Sequence, residues 1–300
     1  MKKILCVILS LSIIFSTIIS SANASNKNDD YDSVSAKHAL MERAHAEHAQ
    51  MPRSVIPLSQ DEVNETMIKI CCGLIENTED LRSELEHEGV YILDAPVLNS
   101  MARVGTVDAS YVRMSTPIVY YNEYTDTWGV AGGGYYVDMS WMDGMMVSLI
   151  GTGLRTKNIG GYDAYGVTFT NTKGTYTSII KSQYAFISDG EGEEKVSNSI
   201  NDGNGKNGYG FRFQDYGTNG SSVGEDGPIY LHNYVGKHFG TAVTFTSDFA
   251  NYAGTATSYY VHTYDKAELS SVSLSTSSGL SFTVTVKESS FPAYSSQIRF

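Results

Sequence analysis

From Pro96 to the C-terminus the apolar residues keep a period of two, which suits strands with one buried face and excludes amphipathic helices. Leu280, Phe282, Val284 and Val286 alternate with Ser281, Thr283, Thr285 and Lys287, and Tyr209, Phe211 and Phe213 alternate with Gly210, Arg212 and Gln214. Similar runs lie near 116–122, 128–141, 145–150, 163–170, 175–187, 227–235, 239–247 and 256–264, divided by Gly, Asn, Asp and Ser clusters that favour turns. Many short strands without crossover helices predict a mainly β fold, an antiparallel β-sandwich or jelly roll over residues 96–300.

Upstream the period is 3.6. Ser59-Gln60-Asp61-Glu62 fits a capping box, followed by an apolar face of Val63, Met67, Ile70 and Leu74. Asn77-Thr78 can stop that helix and cap another carrying Leu81 and Leu85, with Gly89 beyond its end. Residues 58–95 therefore read as a helical hairpin. Residues 25–57 read as a polar, mobile arm, partly helical from Ser33 to Gln50. Residues 1–24 have the form of a signal peptide: Lys2 and Lys3, an apolar run from Ile4 to Ile19, and Ala22-Asn23-Ala24 as a small-x-small cleavage pattern. The apolar run is shorter than the roughly 20 residues that span a bilayer. The expectation is a secreted product starting at Ser25, with no stable membrane anchor.

Charge narrows the partners. Without Lys2 and Lys3 the 21 Lys and Arg become 19 against 33 Asp and Glu, a net charge of −14. Such a surface repels phosphate backbones, so nucleic acid is not an expected partner, whereas a surface glycan or a protein is. Tyrosine is abundant, with 21 in the chain. Tyr135-Tyr136, Tyr259-Tyr260, Trp128 and Trp141 could form a stacking platform for sugar rings. The competing reading is that tyrosine fills half-buried sheet faces.

Candidate chemistry is sparse, and no residue is singled out as catalytic. Gly220-Ser221-Ser222-Val223-Gly224 matches G-x-S-x-G, but its flanks, Asn219 and Glu225-Asp226-Gly227-Pro228, suggest a hairpin turn rather than a strand-to-helix elbow. Gly132-Gly133-Gly134 and Gly151-Thr152-Gly153 lack the βαβ setting of a dinucleotide loop, so no cofactor is indicated. A glycosidase needs two carboxylates facing across a cleft. Asp138, Asp143, Asp163, Asp215, Glu225 and Asp226 offer many pairs and single out none.

Three groups of residues could hold a metal ion. His38, Glu42 and His45 share a helical stripe and could ligate a divalent ion, set against a plain solvated helix. Asp189-Gly190-Glu191-Gly192-Glu193-Glu194 with Asp202-Gly203-Asn204-Gly205 could wrap calcium, but lacks EF-hand spacing and reads more simply as a solvated loop. Cys71 and Cys72, the cysteines outside the leader, could be a metal or redox pair or an intermolecular bridge; adjacent cysteines make a strained mutual bridge, and the favoured reading is two buried hydrophobes.

The organisation as a whole, with the strand Gly208-Tyr209-Gly210-Phe211-Arg212-Phe213-Gln214-Asp215, resembles exported β-rich proteins of Gram-positive bacteria that carry no assigned activity. The resemblance implies location and fold class and supplies no functional residue. The reading is a secreted β-sandwich acting by non-catalytic binding or surface interaction. A secreted glycan hydrolase is the alternative. A membrane-active toxin or bacteriocin-like factor is a second one, because Leu269 to Glu288 reads as a Ser/Thr-alternating hairpin of the kind some pore formers insert.

Overall fold

The computed structural model describes residues 31–49, 57–98, 111–139, 155–192, 194–197, 200–224, 227–263, 269–275, 279–284 and 290–300. Helix α1 (Ser33–His48) starts at Asp32, whose carboxylate accepts from the amides of Val34 and Ser35. Helix α2 (Gln60–Cys71) has both halves of its capping box: the Glu62 carboxylate accepts from the Ser59 amide at 2.8 Å and the Ser59 hydroxyl from the Glu62 amide at 3.3 Å. Helix α3 (Glu79–His87) is capped by the Thr78 hydroxyl. It ends before Gly89, whose φ of +73° is the left-handed turn-out that glycine accommodates.

The strands follow as β1 (Val90–Ile92), β2 (Val97–Leu98), β3 (Val112–Asn122), β4 (Thr127–Tyr136), β5 (Arg155–Lys173), β6 (Ile180–Ser188), β7 (Glu194–Ser197) and β8 (Asp202–Gly203). Then come β9 (Gly208–Gly224), β10 (Gly227–Val235), β11 (His238–Thr246), β12 (Ala253–Thr263), β13 (Leu269–Ser275), β14 (Gly279–Val284) and β15 (Ser290–Arg299). They form two principal antiparallel sheets, one ordered β1-β3-β4-β11-β6-β7 and the other β10-β9-β5-β12-β15-β2, with β8 beside β9; β13 and β14 pair separately. The fold is mainly β, as the alternation predicts. The segment read as a helical hairpin also supplies β1, which pairs with β3.

The main core lies between the inner faces of the two sheets. Tyr165, Val167 and Phe169 of β5 and Tyr209, Phe211 and Phe213 of β9 meet Trp128 and Val130 of β4 and Phe239, Val243 and Phe245 of β11. Phe239 stacks on Tyr260 with centroids 4.1 Å apart. A second core covers the outer face of the six-stranded sheet, where Val63, Met67, Ile68 and Ile70 of α2 sit on Tyr120, Ala131, Phe186 and Ala242. Glycine makes this contact close: a Cβ on Gly240 would stand 2.3 Å from Ile68 Cγ2. The Gly132-Gly133-Gly134 run is likewise a closely packed strand, where a Cβ on Gly132 would meet Val167 and Ser258, and one on Gly133 the Phe239 carbonyl.

Helix α1, expected to belong to a mobile arm, is seated on the sandwich: Ala44 belongs to the main core, and Ala36, Leu40 and Met41 pack against it. Met41 accepts from Trp128 Nε1 at 3.3 Å, and Lys37, fully buried, donates from Nζ to the Tyr252 carbonyl at 2.5 Å while lying 5.1 Å from the ring centroids of Phe249 and Phe300. Burial pushes the Lys37 ammonium down to about 7, partly offset by attraction to Asp32. An unfolded lysine titrates near 10.5, so between about pH 7 and 10.5 the unfolded chain holds a proton that the folded chain has released, and stability rises with pH across that window. Lys37→Met should therefore gain stability over the parent below pH 7, on the order of 3 kcal/mol, with the advantage fading as pH rises to 10.5. Urea midpoints across this range check it; a difference that does not vary with pH would contradict it.

Candidate functional site

Three neighbouring strands of the seven-stranded sheet end their inward-facing series on a polar residue at the same end of the sandwich. On β5 the series Phe169, Val167, Tyr165 runs on to Asp163; on β9 Tyr209, Phe211, Phe213 runs on to Asp215; on β12 Tyr260 is followed by His262. Strand β5 pairs with β9 on one side, Asp163 opposite Phe213, and with β12 on the other, Ala164 opposite Val261. The backbone ladders thus bring the three polar side chains together. One ligand atom from each lies within 4.8 Å of the others, and the residues are 3, 1 and 0 % exposed respectively.

Hydrogen bonds define the centre. Asp163 Oδ2 accepts from Tyr260 OH at 2.5 Å and faces His262 Nδ1 at 3.0 Å, and Oδ1 accepts from the Thr263 amide at 2.9 Å. The Tyr260 hydroxyl in turn stands 3.0 Å from that of Tyr136 across the sandwich. Asp215 Oδ2 accepts from Tyr234 OH at 2.6 Å. Beside it, Gln214 Nε2 donates to the Gly161 carbonyl at 2.9 Å, holding the β5 irregularity between Asn158 and Tyr162. Burial, reinforced by the nearby negative charge of Asp163, holds the Asp215 carboxyl far above the usual carboxylate range. Tyr260 and Tyr234 are also raised, first by burial and then by Asp163 and Asp215 respectively.

The pair therefore divides its labour. Asp163 accepts from Tyr260 OH and the Thr263 amide, whereas burial beside a second carboxylate favours the protonated form of Asp215, because two anions this close in a low-dielectric interior repel. No Lys or Arg among the described residues pairs with either carboxylate; the basic partner is His262. Such a centre can hold a proton or a cation. It is closed to a bulky substrate by its own burial.

Of the carboxylates singled out in the sequence, the structure unites Asp163 and Asp215. Asp138 is exposed, and Asp143, Glu225 and Asp226 lie outside the described residues. His262, Tyr234 and Tyr260 were missed as site residues, although the parity of Phe211-Phe213-Asp215 and Tyr260-His262 points Asp215, Tyr260 and His262 inward. The stripe of His38 and His45 is divided between separate partners, Asn251 and the Tyr121 hydroxyl, each at 3.0 Å, so it assembles no ligand set. Asp189 Oδ1 accepts from the amides of Glu191 and Gly192, as in an Asx turn; Glu193 is outside the described residues. The G-x-S-x-G segment continues in β9 to Gly224, which pairs with Gly227 of β10, an antiparallel hairpin. Cys71 and Cys72 are free and buried, and burial raises both thiols, Cys72 to about 12, which leaves them unreactive near neutral pH.

The stacking platform is corrected by the structure. Trp128, Tyr136, Tyr259 and Tyr260 are all at most 2 % exposed, and Trp141 lies outside the described residues. Tyr135 is half-buried, stacked on His238 at 5.9 Å. Tyrosine here is core material. In the toxin-like hairpin, the described parts of β13 and β14 cover seven and six residues and pair with each other. None of the described helices is long and apolar enough to cross a membrane.

In comparisons with known proteins, no family model matches the chain and no curated protein matches it.

Proposed function

We propose that this chain is an exported β-sandwich protein that acts by binding at a surface, a glycan or another protein, without catalysing a reaction. The supporting observation is the enclosure of Asp163 and Asp215, 3 and 1 % exposed and each bonded to a buried tyrosine. A glycosidase acid and base must touch the glycosidic oxygen and a water in an open cleft, and this pair, the one that the sequence candidates form among the described residues, faces the interior. The leader-like residues 1–24 and the acidic composition support export and an extracellular partner.

The test is to incubate the purified chain with a panel of cell-wall and plant polysaccharides and with cell envelopes, measuring retention and reducing ends together. Retention on at least one surface with no release of sugar is expected. Sugar release that disappears in Asp163→Asn or Asp215→Asn would replace this reading with the hydrolase. The absence of retention on every surface would count against binding.

A further inference from the structure

We propose that Asp163, Asp215 and His262 form a binding site for one divalent first-row transition ion, with zinc as the simplest occupant. Two carboxylate oxygens and an imidazole nitrogen are an established donor set for such ions, and zinc–ligand distances near 2.0–2.2 Å put neighbouring donors about 3–4 Å apart. The three donors, all within 4.8 Å of one another, need close by only about an ångström to surround an ion. The site is rigid in the way a metal site requires, since its ligands stand on three adjacent, mutually hydrogen-bonded strands.

Charge is the independent argument. Two carboxylates are enclosed with one imidazole and with no Lys or Arg paired to either of them among the described residues. Enclosed anions require a compensating proton or cation. An ion bound between Asp163, Asp215 and His262 Nδ1, the three donors the strands bring together, would supply that cation. The outer shell is in place: Tyr260 OH and the Thr263 amide on Asp163, and Tyr234 OH on Asp215, would orient the ligating oxygens. The inner shell has no thiol, which distinguishes this site from any zinc held by Cys71 and Cys72.

This proposal is independent of what the surface binds, and its test uses the full chain and zinc alone. The protein is refolded with and without one equivalent of Zn2+, because the ligands are buried, then desalted and assayed for metal. One tightly held ion per chain and a higher Tm with zinc are expected. Asp215→Asn, nearly isosteric, should keep the native circular dichroism and lose at least about 100-fold in zinc affinity. Failure of the folded parent to retain zinc, or equal retention by Asp215→Asn, would overturn the site. X-ray absorption of the zinc-loaded parent decides even if the variant misfolds: a nitrogen and oxygen shell with one imidazole supports the proposal, and a sulfur shell or several imidazoles overturns it.

Discussion

Asp163→Ala should lower the stability of the folded chain by about 3–5 kcal/mol, because each buried donor left without its acceptor costs about 1–3 kcal/mol. Tyr260 OH, the Thr263 amide and His262 all face this one carboxylate; the Thr263 amide would lose its acceptor, while Tyr260 OH would turn to the Tyr136 hydroxyl or His262 Nδ1. Asp163→Asn removes the charge and keeps the shape, so its Oδ1 can still accept from Thr263 and its amide can donate to a neutral His262. It should recover more than half of the loss. Measured in a metal-free buffer by urea denaturation, the Ala variant should unfold with a much lower midpoint and the Asn variant should fall between it and the parent. An Ala variant within about 1 kcal/mol of the parent would mean that water or a rearrangement replaces the carboxylate, and that the centre contributes little to the fold.

Gly166→Ala should cost about 3 kcal/mol, at the upper end of the usual range for overpacking, because the obstacle is backbone. A Cβ at 166 would stand 2.1 Å from the Tyr209 carbonyl, 2.8 Å from Gly210 Cα and 2.7 Å from Tyr259 OH. Strand β5 is held between β9 and β12 and cannot step aside. Gly210→Ala is a useful contrast, since its Cβ meets chiefly the Tyr259 hydroxyl, at 2.1 Å. Tyr259→Phe should therefore restore much of the stability of Gly210→Ala and little of that of Gly166→Ala, although it forfeits the Tyr259 hydrogen bond to the Tyr209 carbonyl. A double-mutant cycle measures this coupling. Equal rescue at both positions would refute the assignment of the Gly166 obstacle to the Tyr209 carbonyl. The physical meaning of Gly208-Tyr209-Gly210 follows from the same contacts: the glycines leave room where Tyr259 lies across the strand and where Gly208 approaches the Val167 carbonyl.

What was legible in the sequence is what local rules decide. A period of two assigns side chains to opposite faces of a strand, and a hydroxyl or carboxylate before a helix satisfies amides within four residues, so β3, β9, β12 and the starts of α2 and α3 could all be read directly. Periodicity does not say which face a second layer will cover. Tyr259 and Tyr260 point to opposite sides of β12, yet both are buried, and the glycan platform read from Tyr and Trp dissolved for that reason. Nor did composition anticipate the seating of α1, whose Ala36, Leu40, Met41 and Ala44 pack on the main core while Lys37, His38 and His45 bond to Tyr252, Asn251 and Tyr121. The candidate site shows the division most sharply. Asp163 and Asp215 stood in the sequence as two of six carboxylates of equal standing, and His262 was passed over. They meet because β9, β5 and β12 lie side by side in a set register, a pairing between segments up to 99 residues apart that depends on tertiary packing. Alternation alone had already turned all three residues inward; only the sheet order placed them within reach of a single ion.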